Sequence, residues 1–292
     1  MNSEEVLESK LYLRRIREWP DAERVNPKRW LDAFAPEHSK YAAALLDAFI
    51  FISEKQVKKL FASTVHGLSA EITKLAGSYA AKRSLWQQFL ASVLITAPTG
   101  EIPNPTDSGH IFLRMARTDL GIPEKRIVHA SEIRQMVEQS PQAPLIVIDD
   151  FAGSGDQFIT TWTRNSWPSN PTSLEQLSTM YSLDVYYLPL IATERAVERI
   201  SVEAPSVKIR PSHVLTNVYN ASDPDTVVFP DDLRAGAASF IAEASSRAGI
   251  YDFVNGFDDL GLAVAFEHSI PDACVGLLWS DEGGWQPLMA KT

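Results

Sequence analysis

The sequence predicts an α/β protein with a mainly parallel sheet, helices on both faces of that sheet, and an N-terminal helical layer. From about residue 90, short aliphatic or aromatic runs alternate with helical segments, which is the pattern of βαβ units. Before residue 90 the patterning is helical. We therefore expect a helical extension over residues 1–90, packed on an α/β domain over residues 91–292.

Composition and charge limit the functions that fit. The formal net charge of the 292 residues is -10, which argues against bulk nucleic-acid binding, because neutralising phosphates needs clustered Lys and Arg. Cys274 is the single cysteine, so no internal disulfide and no cysteine-based zinc site are expected. The acidic start MNSEEVLESK has no signal-peptide apolar core, and the most apolar segment, YAAALLDAFIFI, is too short to span a bilayer. We expect a cytoplasmic protein without a membrane partner.

The N-terminal ninety residues supply two clear helix signals. KYAAALLDAFIF is apolar nearly all round, which predicts a buried helix. Ser53 and Gln56 in ISEKQVKKLF have the spacing of a capping box. We expect the next helix to begin there.

Strands and helices alternate through the rest of the chain. The predicted strands are ASVLITAP, RIVHA, PLIVIDD, SLDVYYLPLI, VKIRPS and LGLAVAFEH. The predicted helices are GHIFLRMARTDL, GDQFITTWTRNSW, TERAVERIS with Thr193 as its cap, and DDLRAGAASFIAEASSRAG. PLIVIDD carries the strongest strand signal, because its continuous aliphatic run suits a strand buried on both faces of a parallel sheet.

The stretch PLIVIDDFAGSGDQF places two acids and a glycine-rich turn directly after that aliphatic run. Asp149 and Asp150 fall at the carboxyl end of the strand, the edge of an open α/β sheet where ligands bind. Gly153, Ser154 and Gly155 permit a tight turn into a helix, and the N–H groups of such a turn suit a phosphate. Carboxylates beside a phosphate make sense if they bind a sugar diol or lie near Mg²⁺. The stretch therefore predicts a ligand with a ribose and a 5′-phosphate.

LIVIDDFAGSGDQF resembles the phosphoribosyl-pyrophosphate signature of the type I phosphoribosyltransferase superfamily, with four aliphatics, two acids, two spacers and a small hydroxyl-and-glycine turn. The resemblance implies a sheet of phosphoribosyltransferase type. It implies that Asp149 and Asp150 hold the ribose 2′ and 3′ hydroxyls while the turn wraps the 5′-phosphate. The phosphate-binding residues implied are Ala152, Gly153, Ser154, Gly155, Asp156 and Gln157.

The closing region LGLAVAFEHSIPDACVGLLWSDEGGWQPL, the N-terminal helices and FISEKQVKKLF resemble phosphoribosyltransferase-like proteins of bacterial conflict and anti-phage loci. This resemblance implies phosphoribosyltransferase or nucleotide-cleaving chemistry in bacterial defence, with phosphoribosyl pyrophosphate or a nucleotide as ligand. Mg²⁺ would be the cofactor, held through the ligand's pyrophosphate and ribose hydroxyls. A protein partner from the same defence locus is also implied, and a homo-oligomer stays open.

Two positions depart from the catalytic pattern. Gln157 stands where catalytic members usually carry Thr, although its amide can still donate a hydrogen bond. Asp156 precedes it, and its carboxylate must point away from a bound phosphate to avoid repulsion. A non-catalytic module that senses a nucleotide and signals to a partner therefore stays open. So does a purely structural role, in which Asp149 and Asp150 end a strand and Ser154 caps the next helix.

A second group of candidates surrounds the Pro-rich segment PTGEIPNPTDSGH. The resemblance makes this segment the pyrophosphate loop, with Ser108 and Gly109 opening the next helix. Arg114, with Arg117 three residues on, either attracts pyrophosphate or forms a solvated helix face. Both interpretations stay open.

Histidines give weaker signals. His268 and Asp272 follow a predicted strand, and they line the same cleft or shape a local turn. No two of the six histidines have i, i+4 spacing, so we expect no histidine-based metal site and no protein-held metal.

Overall fold

Helices and strands alternate along the computed structural model, which describes residues 2–99, 109–129, 132–164 and 172–290. The helices are α1 (Ser3–Arg15), α2 (Pro27–Asp32), α3 (Ser39–Ala48), α4 (Glu54–Ile72), α5 (Tyr79–Ser92), α6 (Gly109–Thr118), α7 (Ile133–Gln139), α8 (Asp156–Thr163), α9 (Leu174–Tyr181), α10 (Glu194–Glu203), α11 (Asp231–Arg234) and α12 (Ala237–Ala248). The strands are β1 (Ile50–Ile52), β2 (Leu94–Thr96), β3 (Leu145–Ala152), β4 (Val185–Thr193), β5 (Val207–Ile209), β6 (His213–Leu215) and β7 (Val264–Phe266). Of the helices in these ranges, none has the length and apolarity needed to cross a membrane.

Two compact units make up the protein. One consists of Met1–Val57 together with Leu215–Thr292, and the other of Lys58–Val214. The chain therefore leaves the first unit and later returns to it. The division at residue 90 expected from the sequence stays a prediction, and the compact units have other bounds.

A five-stranded sheet organises the unit Lys58–Val214. Its order is β2-β3-β4-β5, and β6 also pairs with β4. The pairs β2–β3, β3–β4 and β4–β5 are parallel, with Leu94 opposite Leu145 and Val147 opposite Tyr187. The predicted α/β class with a mainly parallel sheet is confirmed.

Side chains of β3 are buried on both faces of the sheet. Leu145 and Val147 belong to a cluster that also contains Phe158, Trp162 and Ile200 from the helices after β3. Ile146 and Ile148 alternate with Leu145 and Val147 along the strand and are equally buried. Helix α6 packs against β2 and β3 and lies outside that cluster. Because successive strand residues point to opposite faces, helices cover the sheet from both sides.

Most predicted elements occur where the sequence places them. The predicted strands ASVLITAP, PLIVIDD, SLDVYYLPLI and VKIRPS overlap β2 to β5 in order, and the predicted helices GHIFLRMARTDL, GDQFITTWTRNSW and TERAVERIS overlap α6, α8 and α10. Thr193 caps α10 by accepting a hydrogen bond from the Ala196 N–H at 3.0 Å. At the start of α4, Gln56 Oε1 accepts from the Ser53 N–H at 2.8 Å, which is one half of the predicted capping box.

Four predictions are wrong in detail. DDLRAGAASFIAEASSRAG is not one helix, because α11 ends at Arg234 and α12 begins at Ala237, after Gly236. RIVHA forms no strand, since Ile127 makes a single parallel bridge to Ile95. LGLAVAFEH does contain β7, but this strand pairs in parallel with β1 in a sheet of its own. KYAAALLDAFIF is not one helix, because α3 ends at Ala48 and residues 50–52 form β1. The β-branched and aromatic run Ile-Phe-Ile favours a strand once a partner strand is available.

Candidate functional site

The two acids lie within β3, shortly before its end. Phe151 and Ala152 follow them and still pair with β4, so the strand is two residues longer than the sequence predicts. Both acids are buried, with 2% of Asp149 and 8% of Asp150 exposed. Because neighbouring strand residues point to opposite faces, the two side chains leave the sheet in different directions.

Asp149 is held by protein groups. Its Oδ2 accepts a hydrogen bond from the Tyr187 hydroxyl at 2.8 Å, and its Oδ1 accepts from the Asp150 N–H at 3.0 Å. The Tyr187 ring stacks on Phe158 of α8, with ring centroids 4.1 Å apart. Burial, and secondly the charge of Asp150, raise the pKa of Asp149 well above its ordinary value. Asp149 therefore keeps its proton under conditions in which an exposed aspartate is ionised.

The turn after β3 presents unused main-chain donors. Gly155 has φ +84°, and a Cβ there would lie 3.3 Å from Ile200 Cγ1, so both backbone and space favour glycine. Helix α8 begins at the next residue. In the part of the chain that the structure describes, the N–H groups of Gly153, Ser154, Gly155 and Gln157 make no hydrogen bond. A group of such donors at the positive end of a helix suits an anion.

Asp156 is turned toward α10 by two partners. The Ser154 hydroxyl donates to Asp156 Oδ2 at 2.8 Å, and the guanidinium of Arg199 donates to Oδ1. The Ser154 hydrogen bond, and after it the Arg199 contacts, hold the pKa of Asp156 below its ordinary value. The negative charge next to the turn is therefore paired with Arg199, a partner that no sequence pattern locates.

Thr193 fixes the other side of the turn. Besides capping α10, its hydroxyl donates a hydrogen bond to the carbonyl oxygen of Gly153. Arg199 also donates to the Ser154 carbonyl at 3.3 Å. Two carbonyl oxygens of the turn are thus engaged from α10 and from the end of β4, which leaves the N–H groups as its open polar atoms.

The start of the predicted pyrophosphate loop is fastened to α8. The Thr99 N–H donates to Thr161 Oγ1 at 3.1 Å, and the Thr161 hydroxyl lies within hydrogen-bonding distance of the carbonyls of Thr99 and Gln157, at 3.1 Å and 2.8 Å. Gly109 opens α6 as expected, and a Cβ there would lie 2.4 Å from Ala97 Cβ, so only glycine permits this approach. Ser108 and the rest of the loop fall outside the described residues.

The arginines of α6 differ from each other. Arg117 forms a surface ion pair with Glu124 at 2.8 Å, which matches its interpretation as a solvated helix face. Arg114 is exposed on the same helix, and its attraction for pyrophosphate stays a prediction. His110 and His129 lie with ring centroids 5.3 Å apart, a proximity that their separation in sequence does not suggest.

His268 and Asp272 belong to the other compact unit. The His268 ring stacks on Phe266 of β7, with centroids 5.4 Å apart. The main-chain carbonyl of Asp272 accepts a hydrogen bond from the Phe257 N–H at 2.7 Å. Their place in a ligand cleft stays a prediction.

Mg²⁺ would fit this site if a bound ligand supplied most of the oxygen atoms around the ion. Within the ranges described above, no group of three His, Cys, Asp or Glu side chains is placed to hold a metal ion. The oxygen donors at the turn are Asp149 and Asp150, and Asp149 tends to stay protonated. The donor set therefore suits an ion whose other ligands are phosphate oxygens and water.

Comparison with known proteins agrees with these features. No individual curated protein shows significant similarity to the sequence. A family model described as PRTase-CE matches residues 27–291, a span that contains the sheet, both acids and the turn. The chain therefore belongs to PRTase-CE, a phosphoribosyltransferase-like family.

Proposed function

We propose that the protein binds a ribose 5-phosphate-type ligand, either phosphoribosyl pyrophosphate or a nucleotide, at the carboxyl end of β3. The observation that carries the proposal is the turn at residues 153–157, where four N–H groups are unused and Asp156 is paired with Arg199. These donors are arranged before any ligand arrives, so little reorganisation opposes phosphate binding.

The two acids take different parts in this proposal. Asp150 accepts hydrogen bonds from the ribose hydroxyls, while Asp149 positions it by accepting from the Asp150 N–H at 3.0 Å. If the ligand reacts, the reaction is displacement at the anomeric carbon, and the carboxylate of Asp150 favours the positive charge that develops on the sugar. Mg²⁺ bound with the ligand would neutralise its pyrophosphate. Such a reaction depends on positioning and needs no nucleophile from the protein.

Calorimetric titration tests the binding proposal. Ribose 5-phosphate and phosphoribosyl pyrophosphate with Mg²⁺ should bind at least a hundredfold more tightly than ribose, because charge-assisted hydrogen bonds to the phosphate are lost without it. Asp150→Asn should weaken binding of the sugar phosphates about tenfold, while the exposed control Asp119→Asn should leave it unchanged. Equal affinity for ribose and ribose 5-phosphate would refute the phosphate site.

A second candidate function is a sensor that binds the same ligand without turnover. Gln157 favours it, because it stands where catalytic members of the superfamily that the sequence resembles usually carry threonine. Incubation with phosphoribosyl pyrophosphate or nucleotides plus Mg²⁺ separates the two candidates. Release of pyrophosphate or free base indicates an enzyme, whereas saturable binding without either product, over a panel of bases, indicates a sensor.

The resemblance stated above supports a setting for this activity. We infer an effector or sensor role in bacterial anti-phage defence, acting with a protein encoded nearby. In a plaque assay on cells carrying the native locus, Asp150→Asn should abolish protection and Asp119→Asn should retain it. Full protection by Asp150→Asn would separate the defence role from the ribose site.

A further inference from the structure

A cavity lies in the unit Lys58–Val214, and neither the acids nor the turn line it. It measures about 440 Å³, and its lining includes two cations, three apolar side chains and three other polar residues: Lys125, Arg126, Ile127, Val128, Met136, Glu132, Gln139 and Ser140. This volume lies within the range of small-molecule pockets, roughly 300–1,000 Å³. Its wall thus combines two cations and one carboxylate, Glu132, with neutral polar and apolar side chains.

Arg126 is the unusual member of that wall. Its Nε and Nη1 atoms are buried and donate no hydrogen bond to any residue that the structure describes. Across the described ranges, Arg126 also forms no ion pair. Buried polar atoms in folded proteins nearly always have a partner, and each exception calls for an explanation, such as a bound ion. A guanidinium does not escape the cost by losing its proton.

Two nearby arginines have carboxylate partners, unlike Arg126. Arg117 pairs with Glu124 at 2.8 Å and Arg134 pairs with Glu138 at 2.8 Å. Glu132 lines the same cavity as Arg126, yet no ion pair joins them in the described structure. The available carboxylates are therefore used elsewhere or kept apart from Arg126.

The cavity and the ribose site lie at opposite ends of the strands, which we call the amino edge and the carboxyl edge of the sheet. Lys125 and Arg126 come just before Ile127, which pairs in parallel with Ile95 of β2. Parallel pairing places residues ahead of that bridge toward the amino ends of the strands. The turn lies at the carboxyl end of β3, and a strand of that length measures about 25 Å from its amino end to its carboxyl end. One small ligand does not reach both places.

We propose that this cavity binds a small organic phosphate. Arg126 and Lys125 hold the phosphate, whose double charge matches two adjacent cations, and the organic part lies against Ile127 and Met136. The volume exceeds what inorganic phosphate fills, and the apolar wall accounts for the remainder. The proposal does not depend on the ribose site, since the residues of the two sites are different.

Methyl NMR of Ile127 reports on this cavity directly. Inorganic phosphate and phenyl phosphate are titrated into the full chain, with saturable shifts of the Ile127 δ1 methyl expected for both and several-fold tighter binding of phenyl phosphate. Arg126→Met should weaken binding at least tenfold, because it removes a charge-assisted partner. Lys125→Met should weaken it several-fold, and the control Arg83→Met, an exposed cation on α5, should leave it unchanged. An Ile127 response that does not saturate, or equal affinity in Arg126→Met, overturns the proposal.

Two further measurements keep the result interpretable. Arg126→Met should melt at the same or a higher temperature than the wild type in phosphate-free buffer, because the substitution removes the two unsatisfied buried donors of this side chain. Gly155→Ala should leave the Ile127 response intact, which separates this site from the ribose site. Equal loss of stability in Arg126→Met and Glu132→Gln, without phosphate binding by the wild type, would assign Arg126 to an internal ion pair and overturn the proposal.

Discussion

The two edges of the sheet around β3 treat buried ionisable groups in opposite ways. Asp149, near the carboxyl end, is buried and retains its proton, since burial raises its pKa well above the ordinary value. Arg126, near the amino end, has two buried nitrogens without partners and keeps its charge. An acid becomes neutral when it is buried, but an arginine needs an anion. Asp149 is therefore satisfied by protein groups, whereas two buried nitrogens of Arg126 have no partner among the described residues.

The two edges also differ in the atoms that would donate hydrogen bonds to a ligand. At the carboxyl edge the donors are main-chain N–H groups of a turn, fixed by Gly155 and by the carbonyl contacts of Thr193 and Arg199. At the amino edge they belong to a flexible side chain. Substitutions should therefore affect the first site through backbone geometry and the second through charge.

Gly155→Ala should give the largest loss of ligand binding at the carboxyl edge. The substitution places a Cβ at φ +84° and 3.3 Å from Ile200 Cγ1, which shifts the N–H groups, so ribose 5-phosphate should bind at least tenfold more weakly. Calorimetry measures the loss. Gly121→Ala is the matched control, because Gly121 has φ +67° and a Cβ added there would have no atom within 4 Å. Both variants incur about 1–2 kcal/mol of left-handed strain, and equal binding in both would refute the role of the turn.

Asp149→Asn tests whether the buried acid is protonated in the folded protein, in contrast to the charged Arg126. A carboxyl whose folded pKa is raised keeps its proton at pH values where the unfolded chain, with a pKa near about 3.9, has lost it. Its contribution to stability is therefore complete below the unfolded pKa and declines as the pH rises toward the folded pKa. Urea unfolding should show the wild type losing stability relative to Asp149→Asn as the pH rises above the unfolded pKa, by about 1.4 kcal/mol for each pH unit over which only the folded state holds the proton.

The exposed acid Asp232 provides the control for that series. Asp232→Asn removes an exposed carboxyl instead of a buried one, and its unfolding is measured over the same pH series. If Asp149→Asn follows the wild type at every pH, Asp149 is ionised in the folded protein and the proposed difference between the edges disappears.

Arg199→Met tests whether Asp156 must be neutralised for a phosphate to bind. Two like charges 5 Å apart repel by about 3 kcal/mol at an effective dielectric of 20. The Asp156 side chain is 48% exposed, and screening reduces this to about 1 kcal/mol. Ribose 5-phosphate should bind about fivefold more weakly to the variant. The double variant Asp156→Asn with Arg199→Met should recover most of the affinity, and Arg134→Met should not change it. No recovery would make Arg199 a purely structural residue.

Thr161→Val should give the smallest effect, confined to the pyrophosphate part of the ligand. It removes the hydrogen bonds to Thr99 at the start of the predicted loop, each worth about 1 kcal/mol. Phosphoribosyl pyrophosphate should bind about threefold more weakly, with ribose 5-phosphate unchanged. Thr163→Val is the control on the same helix, since the Thr163 hydroxyl donates to the Ile159 carbonyl within α8. Equal weakening of both ligands would show that Thr161 supports the turn itself.

The sequence was informative where one contiguous stretch carries the feature. Strand β3, the acids and the glycine turn lie within fifteen residues, so local pattern identified them. Arg199 and Thr193 act on that turn from more than thirty residues away, and only folding brings them close. Arg126 is inconspicuous in sequence, since a guanidinium becomes buried only through packing. Some local signals were missed: Ser173 and Gln176 form a complete capping box at the start of α9.

Strand pairing between distant parts of the chain has a practical consequence for shortened forms of the protein. β7 is paired with β1, and Trp30 Nε1 donates to the Leu277 carbonyl at 2.8 Å. A fragment that begins at residue 91 therefore loses the strand beside β7 and leaves its hydrogen-bonding edge open to other copies. Such a fragment should aggregate, and its failure to bind a ligand would say nothing about the acids or the turn.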